Sequence, residues 1–362
     1  MAQLPGKRFL NINLAIGGVG LTQRAVMAKH LAVMLKSGLS ITEALSVARD
    51  SASGRLSRTL QTVLKSVESG HTLSSSLAEH PKIFSGFFVN AVYAGETSGT
   101  LAESLENIAE QLEREKELVS KVRGAMVYPA IVLMVAVILG AVLSFFILPK
   151  IIPLFEGLKV DLPFTTRMLI RFSRFMERRG SLVLTSGALL IVFIIWLSRT
   201  TFAKPFTHRL LLSLPIFRNV SRNVNLARFC RTLGMLLKSG VTIDVALNIT
   251  AETTRNYYYR RALEHAGRDV GRGAKLAESL ERFNNIFPPL VTRMIRVGEE
   301  SGRYEETLFY LANFYEVEVD TATKSLSAAI EPALLIVMGL VVGFLALAII
   351  TPIYDITGRI GH

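Results

Sequence analysis

Cysteine is almost absent: Cys230 is the only one in 362 residues. That excludes an intrachain disulfide and a cysteine-based metal cluster, and leaves a small buried thiol on a helix. The six histidines, at positions 30, 71, 80, 208, 265 and 362, fall at no metal-ligand spacing, and no His-Glu-x-x-His occurs. The phosphate-cradling Gly-x-x-x-x-Gly-Lys-Ser/Thr is also missing, since the one Gly-Lys is Gly6-Lys7 and Arg8 follows it. Gly95–Gly99 is no nucleophile elbow, because its serine stands fourth and such an elbow needs a strand-to-helix turn. Alternating β-branched runs are scarce, which points to an all-α fold. No cofactor site, no metal site and no enzyme activity are expected.

What the chain has is apolar length and positive charge. Half of its residues are hydrophobic and the mean hydropathy is +0.39, too apolar for an ordinary soluble protein. Its formal charge is +12. No segment is basic enough to read as a nucleic-acid module, so lipid is the expected anionic partner. Residues 124–149 carry no charge and exceed the ~20 residues that cross a hydrocarbon core. The runs 181–198 and 331–354 are shorter candidates, the first ending near Trp196, a residue favoured at membrane interfaces.

The chain also has itself twice. Gly95-Glu96-Thr97-Ser98-Gly99 returns 203 residues on as Gly298-Glu299-Glu300-Ser301-Gly302. Leu35-Lys36-Ser37-Gly38 returns as Leu237-Lys238-Ser239-Gly240, Ile83-Phe84 as Ile286-Phe287, Pro129-Ala130 as Pro332-Ala333, and Pro149 as Pro352. Landmarks in one order at a near-constant offset mark a duplication.

The expected map is an N-terminal segment 1–21, a helical domain 22–123, a span 124–149, a short loop 150–180, a span 181–198, a connector and second helical domain 199–330, a span 331–354 and a tail 355–362. Lys7-Arg8 precedes a partly apolar run, but Asn11 and Asn13 interrupt it and no cleavage site follows, so no cleaved signal is expected. If the duplicated domains share a side, the outer spans cross in the same direction. An odd number of crossings must then separate them, and 181–198 supplies one. Arg114, Lys116, Lys121 and Arg123 vote for a cytoplasmic first domain, while the arginines of 167–179 partly oppose it. In the loop, Phe164, Met168, Phe172 and Phe175 oppose Arg167, Arg171, Arg174 and Arg178, which describes a helix in the headgroup region or one packed on protein.

Gly38 and Gly240 read as helix C-caps, Thr42 as a helix start, Leu214-Pro215 as a hinge, and Ala227-Arg228-Phe229 as the opening of the second domain's first helix. In each Gly-Glu-x-Ser-Gly the first Gly is expected to end a helix, the last to relieve the backbone, and Ser98 or Ser301 to cap the next helix. Glu96 and Glu299 would lie near that N-terminus, with partner or cation contact as the alternative. Glu331 either pairs with a base or serves a proton path, or else sits in water or caps a helix; its counterpart Tyr128 is no acid.

These landmarks resemble the type II secretion F family, the inner-membrane platform proteins of type II secretion and type IV pilus machines. The carriers are Leu35-Lys-Ser-Gly38, Gly95–Gly99, Tyr128-Pro129, Leu148-Pro149, Leu214-Pro215, Ala227-Arg228-Phe229, Gly298–Gly302 and Glu331-Pro332. The likeness runs from about Thr22 to Tyr354, and the segment before it is shorter than is usual in the family. It implies two cytoplasmic helical bundles, three spans of the inner membrane and a non-catalytic role. The implied partners are a hexameric assembly ATPase, pilin or pseudopilin transmembrane helices, other inner-membrane assembly proteins, and further copies of the chain. The rivals are a small transporter or channel, which needs polar groups such as Ser144, Thr185 and Ser186 lining the spans, and a membrane-anchored adaptor.

Overall fold

The computed structural model describes residues 18–142, 164–199 and 215–360, and every regular element among them is an α-helix. Pro149 and the residues expected at 150–163 and 200–214 lie outside the described ones. The first repeat contributes α1 Leu21–Lys36, α2 Ile41–Ser51, α3 Gly54–Glu68, α4 Leu73–Ala78, α5 Gly86–Ser98 and α6 Leu101–Val142. After α7, Phe164–Arg199, come α8 Pro215–Lys238, α9 Ile243–Thr253, α10 Tyr257–Val270, α11 Leu276–Glu281, α12 Pro289–Ser301 and α13 Tyr304–Ile360. The duplication is six helices against six. Contacts divide the chain into two units, Met1–Glu117 with Arg228–Arg255 and Arg260–Leu311, and Leu118–Ala227 with Asn256–Tyr259 and Ala312–His362.

In the first unit, α1 stops where Gly38 takes φ +87° and the Leu39 N–H donates to the Met34 carbonyl at 3.1 Å. Gly240 repeats this at φ +81°, with the Val241 N–H on the Leu236 carbonyl. A left-handed residue suits glycine, which has no Cβ to clash. The start of α2 falls at Ser40 rather than Thr42: its hydroxyl accepts from the Glu43 N–H while Glu43 accepts from the Ser40 N–H at 3.0 Å. This is a reciprocal cap, and the Ser40 hydroxyl and N–H that donate to the Glu43 carboxyl hold it below the usual carboxylate range.

Two expectations for the second repeat change. Pro215 is the first residue of α8, a position whose N–H has no helical partner anyway, so it opens a helix instead of hinging a connector. Ala227-Arg228-Phe229 therefore lie in mid-helix. The polar run Asn219–Asn225 hid the helix from a reading by apolar period.

Each repeat closes over an aromatic pair. Phe84 and Phe88 are buried with ring centroids 5.1 Å apart, and Phe229 and Phe287 meet edge to face at 5.3 Å. Leu45, Leu60, Leu105 and Ile108 fill the first core, and Leu233, Leu247, Leu263 and Leu308 the second.

In the second unit the pattern inverts. Two described helices, α6 and α13, are long and apolar enough to cross a membrane. Their apolar side chains point outward: Leu133 is 57% exposed and Leu340 69%. An outward apolar surface of this length is stable against lipid and not against water, so the chain is an all-α membrane protein. Pro129 and Pro332 stand inside these helices; transmembrane helices tolerate proline there. Residues 164–180 of the expected loop and the run 181–198 form one unbroken helix, α7. Along it Phe164, Phe172 and Phe175 are exposed as well as the arginines.

Truncating Phe84 or Phe287 to Ala should cost about 3–5 kcal/mol, from lost transfer energy plus a cavity. Truncating exposed Tyr93 should cost less than about 0.5 kcal/mol. Thermal unfolding of the full chain in detergent separates the two.

Candidate functional site at the duplicated glutamate corner

Helix α5 does not break at Gly95; it runs on to Ser98, and Gly99 is the left-handed C-cap at φ +74°. Gly302 does the same for α12 at φ +70°. In each, one carbonyl closes the end by accepting two backbone bonds: the Gly95 carbonyl from the Gly99 and Thr100 N–H groups, and the Gly298 carbonyl from those of Gly302 and Arg303. Gly95 serves a different need. A Cβ there would stand 2.7 Å from the Ser104 Cβ and 3.0 Å from the Leu101 Cα, so α6 can fold back this tightly only on a glycine. At Gly298 the approach is looser, 3.1 Å to the Thr307 Cβ.

Ser98 and Ser301 do not cap the following helices. Their hydroxyls donate backward, to the Ala94 and Val297 carbonyls at 2.7 Å. The glutamates reach a helix N-terminus, but an upstream one. Glu96 accepts from the Leu73 N–H at 2.5 Å and the Ser74 N–H at 2.9 Å, at the start of α4. Glu299 accepts from the Leu276 N–H at 2.9 Å and the Ala277 N–H at 3.4 Å, at the start of α11. Here an anion meets unpaired N–H donors and the positive helix end together. The reach explains why sequence reading assigned the wrong helix: donors and acceptor are 22 and 23 residues apart.

The copies differ in support. Thr72 adds a side-chain cap on the Ser75 N–H at 3.2 Å, whereas its counterpart Lys275 adds none. Glu299 in turn faces Tyr304, whose phenol burial pushes up, with the glutamate's hydrogen bond and charge adding to it.

Arg228 pairs with Glu115 at 3.6 Å. Burial holds its guanidinium and that of Arg24 below the usual range, with Glu115 opposing and Arg255 reinforcing the shift. Glu115 escaped the sequence reading because it comes from the other repeat. Glu331 lies in the second unit, exposed, in mid-α13 and so not at a helix start. It lines a cleft with its counterpart Tyr128 and with Lys121, Asp320 and Lys324. Asp320 pairs with Lys324 at 2.7 Å and Lys121 at 3.8 Å. Among the described residues no group of His, Cys, Asp or Glu converges as a metal set.

Glu299→Ala should destabilise the full chain by about 1–2 kcal/mol, the cost of a lost cap, and Glu96→Ala by less because Thr72 remains. Gly95→Ala should cost about 1–3 kcal/mol from overpacking, more than Gly298→Ala. Unfolding midpoints of the four variants check both orders.

A family model described as type II secretion system (T2SS), protein F, matches residues 27–149 and 229–352, one match on each repeat. The type IV pilus assembly protein PilC of Thermus thermophilus is 39% identical over 344 residues, 95% of this chain and 84% of that protein. PilC of Myxococcus xanthus is 35% identical, covering 95% and 82%. The type II secretion system protein F of Aeromonas hydrophila is 32% identical, covering 95% and 88%. A doubled corner matched by a doubled family model, at this identity over nearly the whole length, places the chain in the type II secretion system protein F family.

Proposed function

We propose that this chain is the inner-membrane platform of a type IV pilus or type II secretion machine. It has no chemistry of its own to perform; it couples the motion of a cytoplasmic hexameric assembly ATPase to insertion of pilin or pseudopilin subunits into a filament. The observation that carries the reading is helix continuity. Each repeat's sixth helix starts at a glutamate corner and continues unbroken into an apolar run, over 42 residues in α6 and 57 in α13. A helix rising 1.5 Å per residue transmits a tilt or rotation along its length, which a flexible linker cannot do.

In this reading the two repeats are cytoplasmic and meet the ATPase. The spans, with 181–198 of α7 as the middle crossing, meet pilin transmembrane helices, lipid and other assembly proteins. The hydroxyls of Thr185 and Ser186 argue against the transporter alternative, since they donate to the Ser181 and Val183 carbonyls of their own helix at 2.8 and 3.1 Å. A hydroxyl satisfied in this way offers little to a polar pathway.

Purification in mild detergent should bring down an assembly ATPase, and deletion of the gene should abolish surface filaments or secretion. A Gly-Gly insertion after Ala329, which interrupts α13, should keep ATPase binding and lose filaments. Filaments surviving the deletion would end the proposal; filaments surviving the insertion would end the coupling mechanism.

A further inference from the structure

Three arginines keep a buried Nε without a hydrogen-bond partner among the described residues: Arg24, Arg222 and Arg228. Two of them are answered elsewhere on the same guanidinium. Arg24 donates to the Ile83 carbonyl at 3.0 Å, and Arg228 pairs with Glu115. Arg222 has neither kind of contact to a described residue. A buried donor left unpaired costs free energy, so its surroundings bear on what it is for.

Arg222 lines a cleft of about 450 Å³ within the second unit, between the start of α8 and the stretch of α13 that precedes residue 331. Asn219 and Asn223 flank it on α8, and Thr321 and Ser325, both exposed, face them from α13. Glu318 also lines the cleft, yet no ion pair joins it to Arg222. The lining changes character along α13. Glu318 stands at one end, and Leu326, 5% exposed, lies with Ala329 at the other, next to the apolar run. At 1.5 Å per residue, Ala329 is about 3 Å, Ser325 about 9 Å and Glu318 about 20 Å from residue 331. Headgroups occupy roughly 5–8 Å outside each face of the hydrocarbon core, and an arginine stem can lean toward them. The cleft therefore grades from apolar to cationic in the same sense as a phospholipid, and its acid lies beyond the headgroup layer. Arg218, exposed and one turn before Arg222, adds a second positive charge to that face. Lys324 does not contribute: it lines the separate cleft that holds Asp320, with which it pairs.

We propose that this cleft holds one anionic phospholipid. Its phosphodiester sits on Arg222, with the Asn219 and Asn223 amides and the Ser325 hydroxyl as further donors, and its acyl chains run past Leu326 and Ala329 along the apolar run. A guanidinium suits a phosphate because it can donate two parallel bonds, and basic pockets beside membrane helices bind acidic headgroups. A soluble phosphate would leave the apolar end unused, and a zwitterionic headgroup would bring its own cation toward Arg218 and Arg222. A lipid held in this way ties the start of α8 to α13 at the membrane surface. The inference rests on 331–354 being a span and is independent of the machine served, so loss of filaments on gene deletion bears on that function and lipid binding on this site.

The test is native mass spectrometry of the intact, delipidated chain in detergent. It is titrated with short-chain phosphatidylglycerol, with phosphatidylcholine of the same acyl length, and with water-soluble glycerophosphoglycerol. One phosphatidylglycerol per chain is expected to bind about tenfold more tightly than phosphatidylcholine, and the soluble headgroup more weakly than either. Arg222→Gln should remove the preference, whereas Lys324→Gln, in the separate cleft, should leave it intact. Ser325→Leu fills the cleft from an exposed position without changing charge and should weaken phosphatidylglycerol, which keeps the test decisive if Arg222→Gln unfolds. Equal binding of the two lipids by the parent chain would overturn the proposal. So would a preference that survives Arg222→Gln or falls with Lys324→Gln, or binding undiminished by Ser325→Leu. Soluble headgroup bound as tightly as the lipid would make this a site for free phosphate esters and overturn it too.

Discussion

A carboxylate bound to two backbone N–H groups more than twenty residues upstream is the contact on which each half of this protein depends. A six-residue helix cannot hold itself together in water, because nucleation costs more than so few bonds return. Glu96 and Glu299 supply acceptors for donors that α4 and α11 cannot pair internally, and so tie each short helix to the next long one. The glycine before each glutamate lets the sixth helix fold back at close range, and the glycine three residues after it turns the chain. Three residues of one pentapeptide thereby fix how α6 and α13 begin.

The two halves have kept this corner while diverging elsewhere. Lys29 and Lys36 both pair with Glu106 in the first repeat. At the matching positions of the second, the Arg231 guanidinium lies 5.6 Å over the Phe309 ring. An ion pair and a cation–π contact hold the same two helices together by different means. Such exchange is tolerated on a half-exposed seam. At the corner it is not, since backbone donors accept no substitute for an acceptor.

The chain belongs to the type II secretion system protein F family, and among its described residues no His, Cys, Asp or Glu cluster converges as a metal set. Many of its polar groups serve helix ends, salt bridges such as Lys324–Asp320, and bonds within single helices. In the function proposed above, the energy for motion arrives from an assembly ATPase and the long unbroken helices pass it on.

By itself the sequence determined the helical class, the duplication, the outer apolar runs and the family, because each rests on period, run length or repeated order along the chain. Phe84 and Phe287 were legible as repeated landmarks for the same reason, and the structure adds that both are buried. Which helix a glutamate caps, whether Pro215 hinges or opens a helix, and that Glu115 answers Arg228 were decided only by the tertiary structure. These partners are far apart in the chain, and a hydrogen bond depends on distance in space, which no spacing in the sequence states.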